Sequence, residues 1–276
     1  MSGINYNPNL EEILAKPYRR LVAIADPHCG HRVGLTPPIY QSAFKEKKSA
    51  KYLKIRRECW KFVEDEVNKL HPIDVLAVDG DLIDGPGGRS GGTELLTTII
   101  KEQRDIAVEA IRFFKARNII IARGTAYHVS PDGQDAEDDI AEILGAKIGD
   151  HEFFEINGVV FDMKHHLGGS SIPHGKSTAI SKEQLWNLIW ADYDAQKRAD
   201  VVLRAHNHWY NYCGDDTWMG INLPALQAMG SKYGARRCSG LVKFGFVHFD
   251  IFEDGSYTWM PYILRVKSQK ATVTKY

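Results

Sequence analysis

The sequence predicts an α/β layered fold, and three observations carry that reading. Short Val- and Ile-rich runs, five to seven residues long and bounded by Gly, Pro or Asp, recur five times, as buried strands do. Longer stretches with helical spacing lie between them, and strands alternating with helices build layered α/β domains. Near the C-terminus an alternating run, 240–250, precedes Asp254-Gly255 and a second run, 258–264. That is a hairpin signal, and it suggests a second sheet packed on the first.

In order, the strand-like runs are 20–25 (RLVAIA), 74–80 (DVLAVDG), 118–123 (NIIIAR), 158–164 (GVVFDMK) and 200–205 (DVVLRA). Helices are expected over 51–70, with Leu53, Trp60, Val63 and Val67 among charges, and over 94–115, with Leu95, Ile99, Ile106, Ala110 and Phe113. Two weaker ones are expected over 135–144 and over 182–198, the latter with Leu185, Ile189 and Tyr193 as its apolar stripe.

The chain has 276 residues, 35 Lys+Arg against 35 Asp+Glu, 43% hydrophobic and 25% charged residues. Collagen-like, disordered and disulfide-scaffold classes are excluded by that composition. Zero net charge argues against coating nucleic acid by bulk electrostatics, while leaving room for a local basic patch. Four cysteines without a CxxC pair suit a reducing compartment. With no apolar run of membrane-spanning length, the expectation is a single domain over 1–276, cytoplasmic, with no membrane partner.

Each strand-like run ends on residues able to bind metal: Asp26-Pro27-His28, Asp81, Gly124-Thr125-Ala126-Tyr127-His128, His165-His166 and His206-Asn207-His208. Ligands in open α/β sheets sit beyond the carboxyl ends of the strands, so these five ends should converge. Two divalent ions need a bridging carboxylate with nitrogen and oxygen ligands on either side. Asp26 and His28, two apart, can address one ion. Asp81 is the natural bridge, His206 and His208 are again two apart, and His165 or His166 supplies a further nitrogen. Imidazole with carboxylate suits Mn, Fe, Zn or Co better than Ca. Each piece has an ordinary reading, since Asp-Pro-His is usually a turn and Gly-Asp-x-x-Asp often only caps a helix. Their joint, ordered placement at strand ends is what those readings fail to explain.

The order Asp26-x-His28, Gly80-Asp81-x-x-Asp84, Gly124…His128, His165-His166 and His206-x-His208 resembles the calcineurin-like metallophosphoesterase superfamily. The resemblance implies two mixed β-sheets packed face to face with flanking helices, a four-layer α/β/β/α fold. It also implies a dinuclear metal site that hydrolyses phosphoesters with a metal-bound hydroxide. In that pattern Asp26, His28 and His208 hold one metal, Asp81 bridges, and His165, preferred over His166, binds the second metal with His206. Asp84 orients a histidine. Two ions are implied, Mn²⁺ first, with Fe, Zn, Ni or Co as alternatives. Thr125 stands where the family usually has an Asn ligand, and His128 comes three residues later, as replacement ligand or as general acid. This Gly-Thr-x-x-His form, with Gly-Asp-x-x-Asp-Gly and Gly-Gly-Thr-Glu, resembles phage and prophage members.

Beyond the motifs, Lys45, Lys47, Lys48, Lys51, Lys54, Arg56 and Arg57 form either a track for a nucleic-acid backbone or the solvated face of a helix. The glycine-rich stretch 85–93 grips a phosphate through its amides and Arg89, or is a rim loop with Thr93 capping the next helix. Thr125, His166 and Arg89 are thus candidate substrate contacts. His31, His71, His151 and His248 match no ligand spacing. The favoured function is a metal-dependent phosphodiesterase or nuclease acting on nucleic acid or nucleotides. A phosphomonoesterase or protein phosphatase is the alternative, although Asp84 is not followed by Arg-Gly. A metal-dependent amidohydrolase would want its HxH early rather than last, and a binding module with a degenerate metal site draws on the missing Asn.

Overall fold

The computed structural model describes residues 17–42, 50–88, 90–128, 135–169, 172–230, 242–267 and 274–275. Eleven strands form two sheets among the described residues. In the first, β1 (Tyr18–Ala25), β2 (Val75–Asp79), β3 (Asn118–Ala122) and β4 (Lys147–Gly149) run parallel. β10 (Phe244–Phe252) and β11 (Tyr257–Leu264) add antiparallel strands on the far side of β1. The second sheet has the order β5 (Glu152–Ile156), β6 (Val159–Met163), β7 (Val201–Arg204), β9 (Met219–Asn222), β8 (Asn211–Gly214). Its inner three strands are parallel.

Strand alternation sorts the core into two layers. Leu21, Ala23, Ala77, Val247 and Phe249 of the first sheet meet Phe161, Met163, Val201, Leu203 and Ile221 of the second. The opposite faces of the same first-sheet strands, Val22, Ile24, Leu76, Val78 and Phe246, pack against helices. Those helices are α2 (Ala50–Val67), α3 (Ile100–Arg112) and α4 (Ala136–Leu144), after a one-turn α1 (Pro38–Gln41). α5 (Lys176–Asp192) covers the outer face of the second sheet. Two mixed sheets face to face between helices is the expected architecture.

Several expectations need correcting. The C-terminal hairpin extends the first sheet rather than starting the second; its alternation reflects one face toward the helices and one toward the second sheet. The helix expected from 94 begins only at Ile100. Before it, Leu95 bridges His31, and the Leu96 amide donates to Gly30 O at 2.7 Å, so this segment is held extended against the first loop. Thr93 therefore caps no helix; its hydroxyl donates to Ser90 O at 2.8 Å. α5 starts six residues earlier than expected, and the stripe Leu185, Ile189 and Tyr193 faces solvent, while Ile180, Gln184 and Asn187 are buried. Of the basic stretch, Arg56 is buried and donates to Arg32 O and Gln41 O. Lys51, Lys54 and Arg57 are exposed on α2, and Lys45, Lys47 and Lys48 lie outside the described residues. No described helix is long and apolar enough to cross a membrane.

Candidate metal centre

Register brings the motif loops together. Ala25, Asp79 and Ala122 lie side by side at the ends of β1, β2 and β3, so the residues that follow leave the sheet at one level. The first two loops stay zipped beyond it: the His28 amide donates to Asp81 O at 2.9 Å and the Cys29 amide to Leu82 O at 2.8 Å. From the second sheet, β6 delivers His165 and β7 delivers His206 and His208, with the Ala205 amide donating to His165 O at 3.0 Å. Of eight non-glycine residues with left-handed backbone among the described residues, five are Asp26, His28, Asp81, His206 and His208. That conformation costs energy for any residue with a Cβ, and its concentration at three strand exits, those of β1, β2 and β7, is the mark of backbone bent to aim side chains inward.

Three donor groups result, each with its atoms within 4.8 Å of one another: Asp26–His28–His208, His28–Asp81–His128 and Asp81–His165–His206. They share His28 and Asp81, so they form one continuous cluster. Asp26 Oδ1 lies 3.3 Å from His208 Nε2, 3.7 Å from His165 Nε2 and 3.8 Å from His28 Nε2. Asp81 Oδ2 lies 3.1 Å from His165 Nε2, 3.5 Å from His128 Nε2 and 3.7 Å from His28 Nε2. Asp26, His28, Asp81 and His165 are buried, and His206, His208 and His128 half-buried.

Neighbouring groups fix the rings. His165 Nδ1 donates to Asp79 O and His128 Nδ1 to Asp84 O, both at 2.7 Å, which turns each Nε2 toward the cluster. Asp84 Oδ1 stands 3.1 Å from His28 Nδ1. Asp84 thus reaches two histidines, one through its carboxylate and one through its carbonyl. The Thr125 amide donates to Asp81 Oδ1 at 2.6 Å, and its hydroxyl lies 3.2 Å from both Asp81 Oδ2 and His206 Nδ1. His166 is exposed, with its ring 5.0 Å from that of His206, and takes no place in the three donor groups. Arg89 lies outside the described residues. Asn207, between the two histidines, turns away and donates to Leu167 O.

The electrostatics follow from that crowding. Burial pushes the Asp26 and Asp81 carboxyls up, but the surrounding imidazoles outweigh it and hold both below the usual carboxylate range, Asp81 well below. The Asp84 carboxyl is likewise pushed up by burial and then brought down to about 2, by His28 first and then His31. Burial would lower His165, yet the Asp81 and Asp26 charges raise it well above an ordinary histidine. Even so, the cluster leaves buried donor atoms without partners. Asp26 Oδ1 and His165 Nε2 are buried and make no hydrogen bond, close as they come to one another and to Asp81. Buried polar atoms are nearly always paired. Two carboxylates and several imidazoles, with lone pairs left over and turned inward, fit divalent transition metals.

No family profile and no curated protein sequence matches this chain. Solved structures follow a similar course at low identity. Vps29 from Entamoeba histolytica, complexed with Zn²⁺, is 15% identical over 88% of this chain and 98% of its own, with a TM-score of 0.45. Vacuolar Protein Sorting 29 from Cryptosporidium parvum is 11% identical over 90% of this chain and 98% of its own, with a TM-score of 0.47. An archaeal phosphodiesterase is 15% identical over 88% of this chain and 99% of its own, with a TM-score of 0.42. What the site of this chain does has to be read from its own side chains.

Three residues of the site have no counterpart in the sequence reading. Glu137, buried in the first turn of α4, accepts the Leu82 amide at 2.8 Å and the Gly124 amide at 2.7 Å. Asp79 lies buried behind His165 with neither carboxylate oxygen hydrogen-bonded, and burial lifts its carboxyl to about 7. His31, set aside from the sequence, is buried near Asp84 and pushed down to about 4 by burial. Glycine is required at two contacts. A Cβ at Gly124 would overlap Asp81, and one at Gly80, whose φ is +68°, would come within 2.5 Å of the His165 ring.

Proposed function

We propose that this protein hydrolyses phosphoesters, phosphodiesters of nucleic acids or nucleotides first among them, using two divalent ions with Mn²⁺ preferred. Asp26, His28 and His208 would hold one ion, His165 and His206 the other, and Asp81 would bridge. The observation that carries this reading is the inward-facing set of donors around Asp81 and Asp26, with Asp26 Oδ1 and His165 Nε2 left unpaired. When bound, the ions supply Lewis acidity, lowering the pKa of water and neutralising phosphoryl charge.

The chain's own residues supply the rest. His128 is anchored through Nδ1 on Asp84 O, which turns Nε2 into the cluster beside Asp81 Oδ2, where it would carry a proton toward a leaving oxygen. Asp84 steadies the His28 ring from behind. Thr125 holds Asp81 through its amide and hydroxyl, which leaves Asp81 Oδ2 facing the histidines. Diesters are favoured over phosphoproteins because Gly85-Pro86 stands where protein phosphatases of this pattern continue Arg-Gly. The competing reading, a metal-binding module without turnover, draws on Thr125 at the position of the usual Asn.

The test is to strip the protein with chelator, restore Mn²⁺, and assay bis(p-nitrophenyl) phosphate beside p-nitrophenyl phosphate, with Asp81→Asn as control. Metal-dependent diester cleavage, reduced at least about 100-fold in the variant, is the expected result. A preference for the monoester would move the assignment to a phosphatase. Binding of two ions with neither ester cleaved would favour the module.

A further inference from the structure

Among the described residues, the first turn of α4 holds three acids, Glu137, Asp138 and Asp139, and only Glu137 is buried. Its position is set locally: Asp135 caps the helix by accepting the Glu137 amide at 3.0 Å, which turns the Glu137 side chain inward under the strand ends. There its two oxygens divide. Oε1 takes the Leu82 amide, one residue after Asp81, and Oε2 takes the Gly124 amide, one residue before Thr125. Thr125 closes the circuit by donating its own amide to Asp81 Oδ1 at 2.6 Å. The absence of a side chain at Gly124 is what lets its loop lie against Asp81.

We infer that Glu137 is a positioning residue, a staple between the loops of β2 and β3 that fixes which Asp81 oxygen faces the histidines. The inference rests on the metal-site reading above. With both loops tied to one carboxylate, Asp81 Oδ1 stays on the Thr125 amide and Oδ2 stays presented to His165, His128 and His28. Freed from the staple, the Gly124 loop would drift from Asp81, and the carboxylate would be able to rotate. A carboxylate accepting two amides is the only side chain of this shape that satisfies both. The isosteric amide of Glu137→Gln must turn an N–H toward one backbone N–H.

The experiment compares wild type, Glu137→Gln, Glu137→Asp and Ile140→Ala. Ile140 is a buried core residue of the same helix whose apolar side chain can accept neither amide, so its variant reports lost stability alone. Mn²⁺ titration calorimetry on chelator-stripped protein gives affinity and stoichiometry, and the visible spectrum of the Co²⁺ form gives ligand geometry. Amide hydrogen exchange over 80–84 and 122–126, without metal, gives the tie between the loops. Expected for Glu137→Gln are a loss of about 10-fold or more in Mn²⁺ affinity, an altered Co²⁺ spectrum and faster exchange in both segments. Glu137→Asp should recover part of each, and Ile140→Ala should keep the wild-type spectrum and affinity whatever its fall in Tm. The inference is overturned if Glu137→Gln binds Mn²⁺ like wild type, or if Ile140→Ala shows the same loss. Wild-type protein that takes up no metal would overturn both this inference and the function it rests on.

Discussion

Strand β7 separates two buried charged clusters that obey opposite rules. On its outer side Arg204 donates to Asp162 Oδ1 at 2.7 Å and Glu183 Oε2 at 2.9 Å, and also to the carbonyls of Asp162 and Leu203. His151 lies 2.8 Å from the same Asp162 oxygen, and Asn187 donates to the other. No buried side-chain nitrogen or oxygen of Asp162, Glu183, Asn187 or Arg204 lacks a partner. Two residues further on, the same strand delivers His206 to a cluster where Asp26 Oδ1 and His165 Nε2 have none. A buried network with every hydrogen bond made is complete as it stands. One with inward-facing donor atoms left over has ligands to offer a cation. Charge and burial are common to both; satisfaction tells them apart.

The largest expected difference comes from deleting one member of each. Arg204→Ala takes the guanidinium from buried Asp162, which keeps only His151 and Asn187, and from half-buried Glu183, which keeps Lys164, and should cost about 3 kcal/mol. Asp26→Asn, measured in chelator, should cost less, about 1–2 kcal/mol: its Oδ1 has no hydrogen bond to lose and an amide oxygen can still accept the His206 amide, so only the attraction to the imidazoles goes. Mn²⁺ reverses the ranking. At about 100 times Kd it should stabilise wild type by about 2.7 kcal/mol per site, stabilise Arg204→Ala by as much, and do little for Asp26→Asn. Urea denaturation with and without Mn²⁺ reads all of this. An Arg204→Ala protein as indifferent to Mn²⁺ as Asp26→Asn would erase the distinction between the clusters.

Asp79 sharpens the contrast through pH. Its folded carboxyl titrates at about 7 because burial penalises the charge, against about 3.9 in an unfolded chain. The folded state therefore keeps a proton that the unfolded state releases, and stability falls as pH rises between about 4 and 7, then levels off. Asp79→Asn removes that slope. In chelator it should match wild type near pH 4, where the carboxyl is protonated and the two side chains are alike, and exceed it by about 4 kcal/mol at pH 8. Asp162 runs the other way. Burial raises its carboxyl, but His151 and Arg204 hold it below the usual range, so its contribution is present above about pH 4 and lost as pH falls through its folded value. Equal pH profiles for wild type and Asp79→Asn would mean that this carboxylate finds a partner in solution.

The strand ends were legible because a strand's exit is marked twice, by the end of an apolar run and by a polar residue where none is needed. Asp26, Asp81, His165 and His206 all stand at such exits. Glu137 carries no such mark: an acid in a helix's first turn is what the helix dipole favours anywhere, and only its depth beneath two loops gives it a task. Asp79 was hidden inside DVLAVDG, where its neighbours Gly80 and Asp81 accounted for the polarity. The hairpin's sheet was not readable, since alternation reports that a strand has two different faces and not which strand it will pair with. The early start expected for α3 failed for a tertiary reason, the pairing of 95–96 with the first loop.

The smallest expected effect is also the one most opposed to ordinary sequence reading. On α5 the apolar Leu185 is 56% exposed and the polar Asn187 is 2% exposed. Asn187 donates to Asp162 Oδ2 and Lys197 O and accepts the Ala199 amide at 2.9 Å, joining the helix to the completed network. Asn187→Ala leaves the Ala199 N–H and an Asp162 oxygen short of a partner, and should cost about 1–3 kcal/mol. Leu185→Gln removes an apolar side chain that faces water, and should stay within about 0.5 kcal/mol of wild type. Thermal denaturation of the two variants side by side decides it. If Leu185→Gln proves the costlier, α5 packs on the second sheet by its hydrophobic stripe, and the completed network is not what seats it.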